Sequence, residues 1–305
     1  MSIVKTIHFG IQRKIVANMT TESWRAIPHV VYNYEPEAGA FIEEFRRICS
    51  LRDAGCKLTL NTLMLRVIAE GLKAAPQMNA HIHFNRRLVR GRIDVFDNID
   101  ISMPMLLPNG EMMTINLHDF GNKSLTQMSD YIADVSRRLA NTHLTEAMME
   151  VSLDNTYSAL RRGHILTALG RLIGAKTGRH RVRTLTGKER QAYYAVHEGD
   201  RITKRDIEQG TVTISNVGSL YPQQRGSVGL FEIIPPQVCA FAVGAIQKRP
   251  VAYCDATGGV SLRVGTILPI CIAFDHRALD FGDIVPFLRR LDELFANPQI
   301  ISEWM

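Results

Sequence analysis

The chain opens with helical spacing. In "IQRKIVANMTTESWRAI" the apolar residues Ile11, Ile15, Val16 and Met19 share one face, and Ile27-Pro28 stops the pattern. "HVVYNYEP" is β-branched and aromatic and predicts a strand. "GAFIEEFRRICSLRDAG" puts Phe41, Ile42, Phe45 and Ile48 on one helix face, with Gly55 as its end; "TLNTLMLRVIAEGLKAAP" predicts a second, more apolar helix stopped at Pro76. "HIHFNRRLVRGRIDVF" resembles a hairpin turning near Asn85-Arg86, and "NIDISMPMLLPNGEMMTINL" gives two strands around Pro108-Asn109-Gly110. "SLTQMSDYIADVSRRLA" predicts an amphipathic helix with Ser124 as N-cap. From about residue 141 to 199 the alternation breaks off. It resumes with the strand "GTVTISNVG", then "QVCAFAVGAI", apolar enough for burial on both faces. "VSLRVGTILPICIAF" gives a strand pair, and "IVPFLRRLDELFANP" a closing helix with Pro286 in its first turn.

This order is not a strict βαβα alternation. It predicts a mixed sheet with helices on one side, an α+β or mixed α/β fold, and shows no internal repeat. The 305 residues, 46% apolar, are expected to form a single domain spanning 1–305. Five cysteines stand without a CxxC pair and read as reduced thiols. "MSIVKTIHFGIQRKIV" has no signal-peptide pattern, and no uncharged apolar run is long enough to span a bilayer, so a cytoplasmic protein is expected. Charge is uneven. Nine Lys/Arg against one acid give Arg161–Arg190 +8 of a chain total of +6, which leaves −2 for the rest. A nearly neutral body argues against a nucleic-acid binder.

Near the C-terminus, "AFDHRALDFGD" follows an apolar, strand-like run. His276 stands where that strand leaves the sheet, a place that presents side chains into clefts. A histidine there suits general-base chemistry near neutral pH, and Asp280, four residues on, can fix the local geometry or anchor an arginine that does. The plainer alternative is a polar turn capping the last helix. His81 and His83 alternate on one strand face, but no Cys or carboxylate joins them at ligand spacing, so no metal is expected.

Four blocks in order carry a resemblance. "DHRALDFGDIVPFLRRLDELFANP" resembles the Asp-His-Arg-x-x-Asp-Gly signature of the 2-oxo acid dehydrogenase E2 acyltransferases. "QRKIVANMTTESWRAIPHV", "TVTISNVGSL" and "PPQVCAFAVGAIQKRPV" resemble three further blocks of that family. The resemblance covers most of residues 1–140 and 200–305. It implies the two-layer fold shared with chloramphenicol acetyltransferase, whose usual pattern has a second histidine where this chain has Asp275.

The resemblance also implies a reaction. His276 acts as general base on the thiol of coenzyme A or of a dihydrolipoyl group, and Ser215 hydrogen-bonds the tetrahedral oxyanion. Asp280 pairs with an N-terminal arginine, here Arg13. Asn216 and Arg277, beside Ser215 and His276 in the same blocks, support them. The family site lies between subunits, which implies a homotrimer or a larger assembly of trimers. Coenzyme A or acyl-CoA is the substrate and no metal is needed. The lipoyl group comes from another chain, because no lipoyl domain, with its lysine after Asp, and no peripheral subunit-binding domain are recognised here. Lipoyl-domain proteins or 2-oxo acid dehydrogenase subunits are the implied partners.

One departure is Phe281, where the motif has glycine. It implies a turn rebuilt around Gly282 or an altered site, and with the missing lipoyl domain it keeps open a non-catalytic E2-like scaffold. A free-standing acyltransferase using a hydroxyl or amine acceptor is a further alternative. The second departure is the basic insertion at about 141–199. Within it Leu160, Ile165, Leu169, Leu172 and Ile173 recur at near-helical spacing among cations. Such a segment covers a neighbouring subunit or the site's mouth, binds a membrane surface or acidic partner, or stays disordered. Arg179, Arg181 and Arg183 are candidates for the phosphates of coenzyme A. "GRLIGAKT" fails as a phosphate loop, since Ala175 stands where glycine is required.

Overall fold

The structure is a computed structural model. It describes residues 2–51, 58–106, 112–161, 166, 169–170, 173–174, 177, 181–254 and 258–305. The expected turns at Gly55 and Pro108-Asn109-Gly110, together with Ile165, Leu172, Ala175 and Arg179, lie outside the described residues.

The helices are α1 (Ile11–Ala26), α2 (Gly39–Ser50), α3 (Leu60–Ala74), α4 (Leu125–Ala140), α5 (Leu144–Arg161), α6 (Gly187–Ala195), α7 (Lys204–Ile207), α8 (Val217–Leu220) and α9 (Phe281–Ala296). The strands are β1 (His29–Tyr34), β2 (Ala80–Asn85), β3 (Arg90–Val95), β4 (Ile101–Leu106), β5 (Met112–Leu117), β6 (Val212–Asn216), β7 (Cys239–Val243), β8 (Gln247–Cys254), β9 (Val260–Ile267) and β10 (Ile270–Asp275). They form two compact units. One holds Met1–Glu22, Met105–Asn116 and Ala133–Gln209, the other Ser23–Pro104, Leu117–Ile132 and Gly210–Met305.

The second unit is a mixed α/β two-layer fold. Its sheet runs β1-β10-β7-β6-β4; β1, β10 and β7 are antiparallel in turn, while β6 is parallel to both β7 and β4. Helices α2, α3 and α9 cover one face. In α9 the apolar residues Ile284, Phe287, Leu291, Leu294 and Phe295 recur at helical spacing and are all buried, each contributing about 1.5–3 kcal/mol. Phe287 stacks on Phe241 of β7 at 5.3 Å between ring centroids. Helices α3 and α9 approach closely because residue 71 is glycine: a Cβ there would meet Phe287 at 2.5 Å and Leu291 at 2.6 Å. On the other face, Ile27 and Ile233 pack with Ala240 and Ala273, so β7 is buried on both sides, as its apolar run predicts.

Local signals explain most boundaries. The Thr59 hydroxyl accepts the Thr62 N–H at 3.2 Å and starts α3. Ser124 caps α4: its hydroxyl accepts from Gln127 N–H at 3.3 Å, while the Gln127 amide oxygen accepts from Ser124 N–H at 2.9 Å. Asn85 Oδ1 accepts from the N–H groups of Arg87 and Leu88, which turns β2 into β3.

Two expectations change. β9 does not pair with β10; it forms a separate ribbon with β8, and β10 joins the main sheet. The sequence hid β8, whose cations and Pro250 belong to an exposed ribbon rather than a sheet interior. Pro286 lies in the second turn of α9, because the helix already begins at Phe281. Its ring removes a bond to the Gly282 carbonyl, which sits on an exposed turn.

The first unit has α5 and α6 as its longer complete helices. Arg138 forks onto the buried carboxylate of Asp206 at 2.9 and 3.0 Å. The buried Glu146 of α5 accepts from Leu185 N–H at 3.0 Å. Leu169 and Ile173, expected on an apolar helix face, are exposed. Among the described residues no helix is long and apolar enough to cross a membrane.

Candidate functional site

β10 is buried along its whole length and ends at Asp275. The chain then turns at once: Ala278 and Leu279 N–H donate to the Asp275 carbonyl at 2.9 and 3.0 Å, and His276 N–H donates to Pro28 at 3.2 Å. Leu279 is buried and anchors this turn. Asp280 is the N-cap of α9, where the Asp283 carboxylate accepts its N–H at 2.8 Å. The turn therefore ties His276 to a buried strand on one side and a buried helix on the other.

The His276 ring is half exposed. Its Nδ1 lies 3.1 Å from the Leu279 carbonyl and 3.3 Å from Asp280 Oδ1. Both oxygens accept, so in the neutral ring Nδ1 carries the proton and Nε2 the lone pair. Nε2 has no partner among the described residues. That is the tautomer a general base needs. Asp280 thus does two things at once: it caps the helix, as the plain alternative holds, and it faces the imidazole.

Phe281 does not require a rebuilt turn. It is the first residue of α9, and positive φ among the non-glycine described residues occurs only at Val89 and Asp119. Gly282 carries no positive φ either. The Phe281 ring lies edge-on to Tyr32 at 5.5 Å. The backbone therefore has no need of glycine at 281; of the two expectations, a turn rebuilt around Gly282 or an altered site, the first does not describe this turn.

Beside His276 sits a pair that sequence reasoning only half found. Asp275 is fully buried, and Arg277 grips it through Nη2 at 2.6 Å and Nε at 3.0 and 3.1 Å. The Arg277 guanidinium also lies 6.0 Å from the Phe84 ring centroid. Arg277 was expected as a supporting residue; its partner was not. The available signal was a carboxylate ending an otherwise apolar strand.

Ser215 is buried on β6, and its hydroxyl has no hydrogen-bond partner among the described residues. Asn216 follows; its amide donates to Asn61 at 3.1 Å, and its Oδ1 accepts from Ser219 N–H at 3.0 Å, capping α8. Gly218 lets this turn rest on the main chain of Gly244 and Ala245, since a Cβ there would meet those backbone atoms at 2.4 Å. Ser215 pairs with Ala242, which pairs with Cys271, five residues short of His276 along β10. β6 and β10 run in opposite directions, so their C-terminal ends point to opposite ends of the sheet. The offset is roughly 16 Å along the strands and about 10 Å across them. One chain does not bring Ser215 and His276 together.

The other candidates are placed as follows. Arg13 is exposed on α1, in a different unit from Asp280. Arg181 and Arg183 are exposed. His29 is structural: its Nδ1 donates to the Ile27 carbonyl at 3.0 Å and its Nε2 accepts Ile233 N–H at 3.2 Å. His81 Nε2 bonds to the Gly210 carbonyl at 3.1 Å, and His83 pairs with Asp94 at 3.2 Å. Among the described residues no three His, Cys, Asp or Glu cluster as metal ligands.

Residues 4–152 and 183–302 match the family described as 2-oxoacid dehydrogenases acyltransferase (catalytic domain). The chain belongs to that family. It is thereby classed as an acyltransferase. The dihydrolipoyllysine-residue acetyltransferase component of the Zymomonas mobilis pyruvate dehydrogenase complex is 22% identical over 96% of this chain and 50% of its own length. The mitochondrial counterpart from Schizosaccharomyces pombe is 22% identical over 94% of this chain and 44% of its own. The chain thus spans about half, or less, of these curated relatives. Among solved structures, a probable dihydrolipoamide acetyltransferase from Listeria monocytogenes superposes with a TM-score of 0.64 at 20% identity, covering 97% of this chain and 95% of that one. The Azotobacter vinelandii dihydrolipoamide acetyltransferase gives 0.64 at 17% identity, covering 98% of this chain and 94% of that one. In that enzyme the catalytic roles of a serine, a histidine and an asparagine four residues past the histidine have been investigated. The family match skips residues 153–182, inside the basic stretch.

Proposed function

We propose that the chain transfers an acyl group between a thioester and coenzyme A, or another thiol such as a dihydrolipoyl group, with His276 as general base. The observation that carries this is the placement of the His276 ring: Nδ1 lies 3.1 Å from the Leu279 carbonyl and Nε2 has no partner among the described residues. Nε2 takes the proton of the attacking thiol. The thiolate adds to the acyl carbonyl carbon, and the oxyanion of the tetrahedral intermediate accepts a hydrogen bond from Ser215. The original C–S bond breaks, and the departing thiolate takes the proton back from the imidazolium. Because Ser215 and His276 point to opposite ends of the sheet, the serine comes from a second copy. A homotrimer, or an assembly of trimers, supplies it; a related core of a pyruvate dehydrogenase complex is cubic.

Within this proposal residues 1–305 are one catalytic domain with an insertion at about 141–199. Asp280 also receives Arg13, and the lipoyl arm is brought by another chain. Arg179, Arg181 and Arg183 draw the phosphates of coenzyme A; unchanged coenzyme A affinity after their neutralisation would remove that role. The test of the reaction is acetyl transfer from acetyl-CoA to dihydrolipoamide. His276→Ala is expected to lose about 10²–10⁴-fold in kcat. Equal rates for wild type and variant across a panel of acyl-CoAs would leave only the scaffold.

A further inference from the structure

Gln237 stands just ahead of β7 and is fully buried. A buried carboxamide needs an acceptor for its N–H and a donor for its oxygen. Gln237 has both. The Thr213 hydroxyl donates to its Oε1 at 2.6 Å, and its Nε2 donates to the Gly210 carbonyl at 2.8 Å. That carbonyl also lies 3.1 Å from His81 Nε2, and Gly210 N–H donates to the Ser102 hydroxyl at 2.8 Å. The main chain around Gln237 is held as well. Its N–H donates to the Ile234 carbonyl at 3.1 Å, and Val238 N–H donates to the Ala80 carbonyl at 3.2 Å. The Val238 carbonyl then accepts Asp275 N–H at 2.8 Å, which carries the β7–β10 ladder one residue past the Cys239–Phe274 pair. Asp275 is the residue before His276. Its carboxylate accepts Arg277 N–H at 2.9 Å, and its carbonyl accepts from Ala278 and Leu279, so the turn is closed around the histidine from this one residue.

We propose that Gln237 is a positioning residue for His276. Being fully buried, it acts through the backbone and not on the reacting atoms. Its carboxamide pins the Gln237–Val238 segment to the start of β6, and Val238 sets where Asp275, and with it the base, leaves the sheet. The inference rests on the acyl-transfer reaction above and adds a residue to which that reaction assigns no part. Two features favour positioning over a plain core contact. Both ends of the carboxamide are satisfied by one neighbouring segment, Gly210–Thr213, which fixes the direction of the segment as well as its depth. And a single carbonyl, that of Val238, joins this anchored segment to the residue that opens the turn. A general base works only within a narrow range of placements: a displacement of about 1 Å costs as much as about 10²-fold in rate.

The experiment compares full-length wild type, Gln237→Met and Ile68→Val. Methionine keeps the length of the side chain without the amide. Ile68 is buried on α3 and has no part in the Gln237 bonds, so its truncation is the control for a general loss of core packing. Acetyl transfer from acetyl-CoA to dihydrolipoamide should lose about 10–100-fold in kcat in Gln237→Met, with KM unchanged, and stay at the wild-type level in Ile68→Val. Amide hydrogen exchange at Asp275, Ala278 and Leu279 should be faster by about tenfold or more in Gln237→Met only. Unchanged kcat, unchanged exchange at these amides, or equal effects in Ile68→Val overturn the proposal. Should Gln237→Met not fold, Thr213→Val takes its place, since it removes the same bond from the β6 side. If wild type transfers no acetyl group, the reaction itself has failed, and positioning is read from exchange alone: faster exchange confined to the turn sustains it, and equal exchange overturns it.

Discussion

Mixing two inactive copies tests the geometry of the site most directly. Ser215 and His276 are separated by roughly 16 Å along the strands and about 10 Å across them, nearly 20 Å in all. Groups that act on one tetrahedral centre must each reach it at about 3 Å. No rotamer closes that gap, because Ser215 is short and buried and the turn after Asp275 is tied to Pro28, Leu279 and α9. The perturbation is co-expression of Ser215→Ala copies with His276→Ala copies under different tags, followed by isolation of mixed assemblies. Each site that joins two copies is intact only when its serine comes from a His276→Ala chain and its histidine from a Ser215→Ala chain. In a mixed trimer, whichever variant is in excess, that is about one site in three. Acetyl transfer to dihydrolipoamide should therefore recover to about a third of the wild-type rate. Loss of an oxyanion donor alone leaves roughly 10⁻²–10⁻³ of activity, so the recovery is readable above background. Mixed assemblies no more active than the average of the two pure variants would refute the two-copy site.

Other measurements probe the surrounding fold. Arg277→Ala leaves the buried Asp275 carboxylate unpaired, and urea unfolding should show a loss of about 3–5 kcal/mol, with Asp275→Asn in the same chain recovering part of it. Gly71→Ala should destabilise by about 1–3 kcal/mol despite alanine's better helix propensity, because the new methyl group runs into Phe287 and Leu291; thermal unfolding decides the sign. Burial pushes the Cys239 thiol well up, with Asp275 adding to the effect, and pushes Cys271 up to about 11, so a thiol reagent at pH 8 should label Cys254 in the folded protein and spare both. Since the folded Cys271 thiol gives up its proton later than an unfolded one, its stability contribution is complete below about 9 and lost as pH rises toward about 11; alkaline unfolding curves that show no fall in that window would contradict it.

Where local chemistry and the fold agreed, the sequence was readable. Ser124 caps its helix through the side chain expected, Asn85 makes the hairpin turn, and the apolar run of β7 is buried on both faces. Legibility failed where a residue's role depends on distant chain. Lys248, Arg249 and Pro250 did not announce β8, because a two-stranded ribbon lacks the inward alternation of a sheet strand. Asp275 looked like turn polarity until the fold buried it against Arg277.

Phe281 shows how a motif departure can be settled by backbone conformation. A glycine is indispensable where φ is positive or another main chain presses close. Position 281 meets neither condition: it is the first turn of α9 and its ring lies on Tyr32 in the open. Gly218 does meet the second, with the Gly244–Ala245 backbone 2.4 Å from where a Cβ would stand. The two glycines of the family blocks therefore differ in kind. The one after Ser215 is required by packing and retained. The one after Asp280 is not required by this turn, so its replacement leaves the contacts of His276 Nδ1 and the Asp280 cap in place, and changes only the exposed surface beside them.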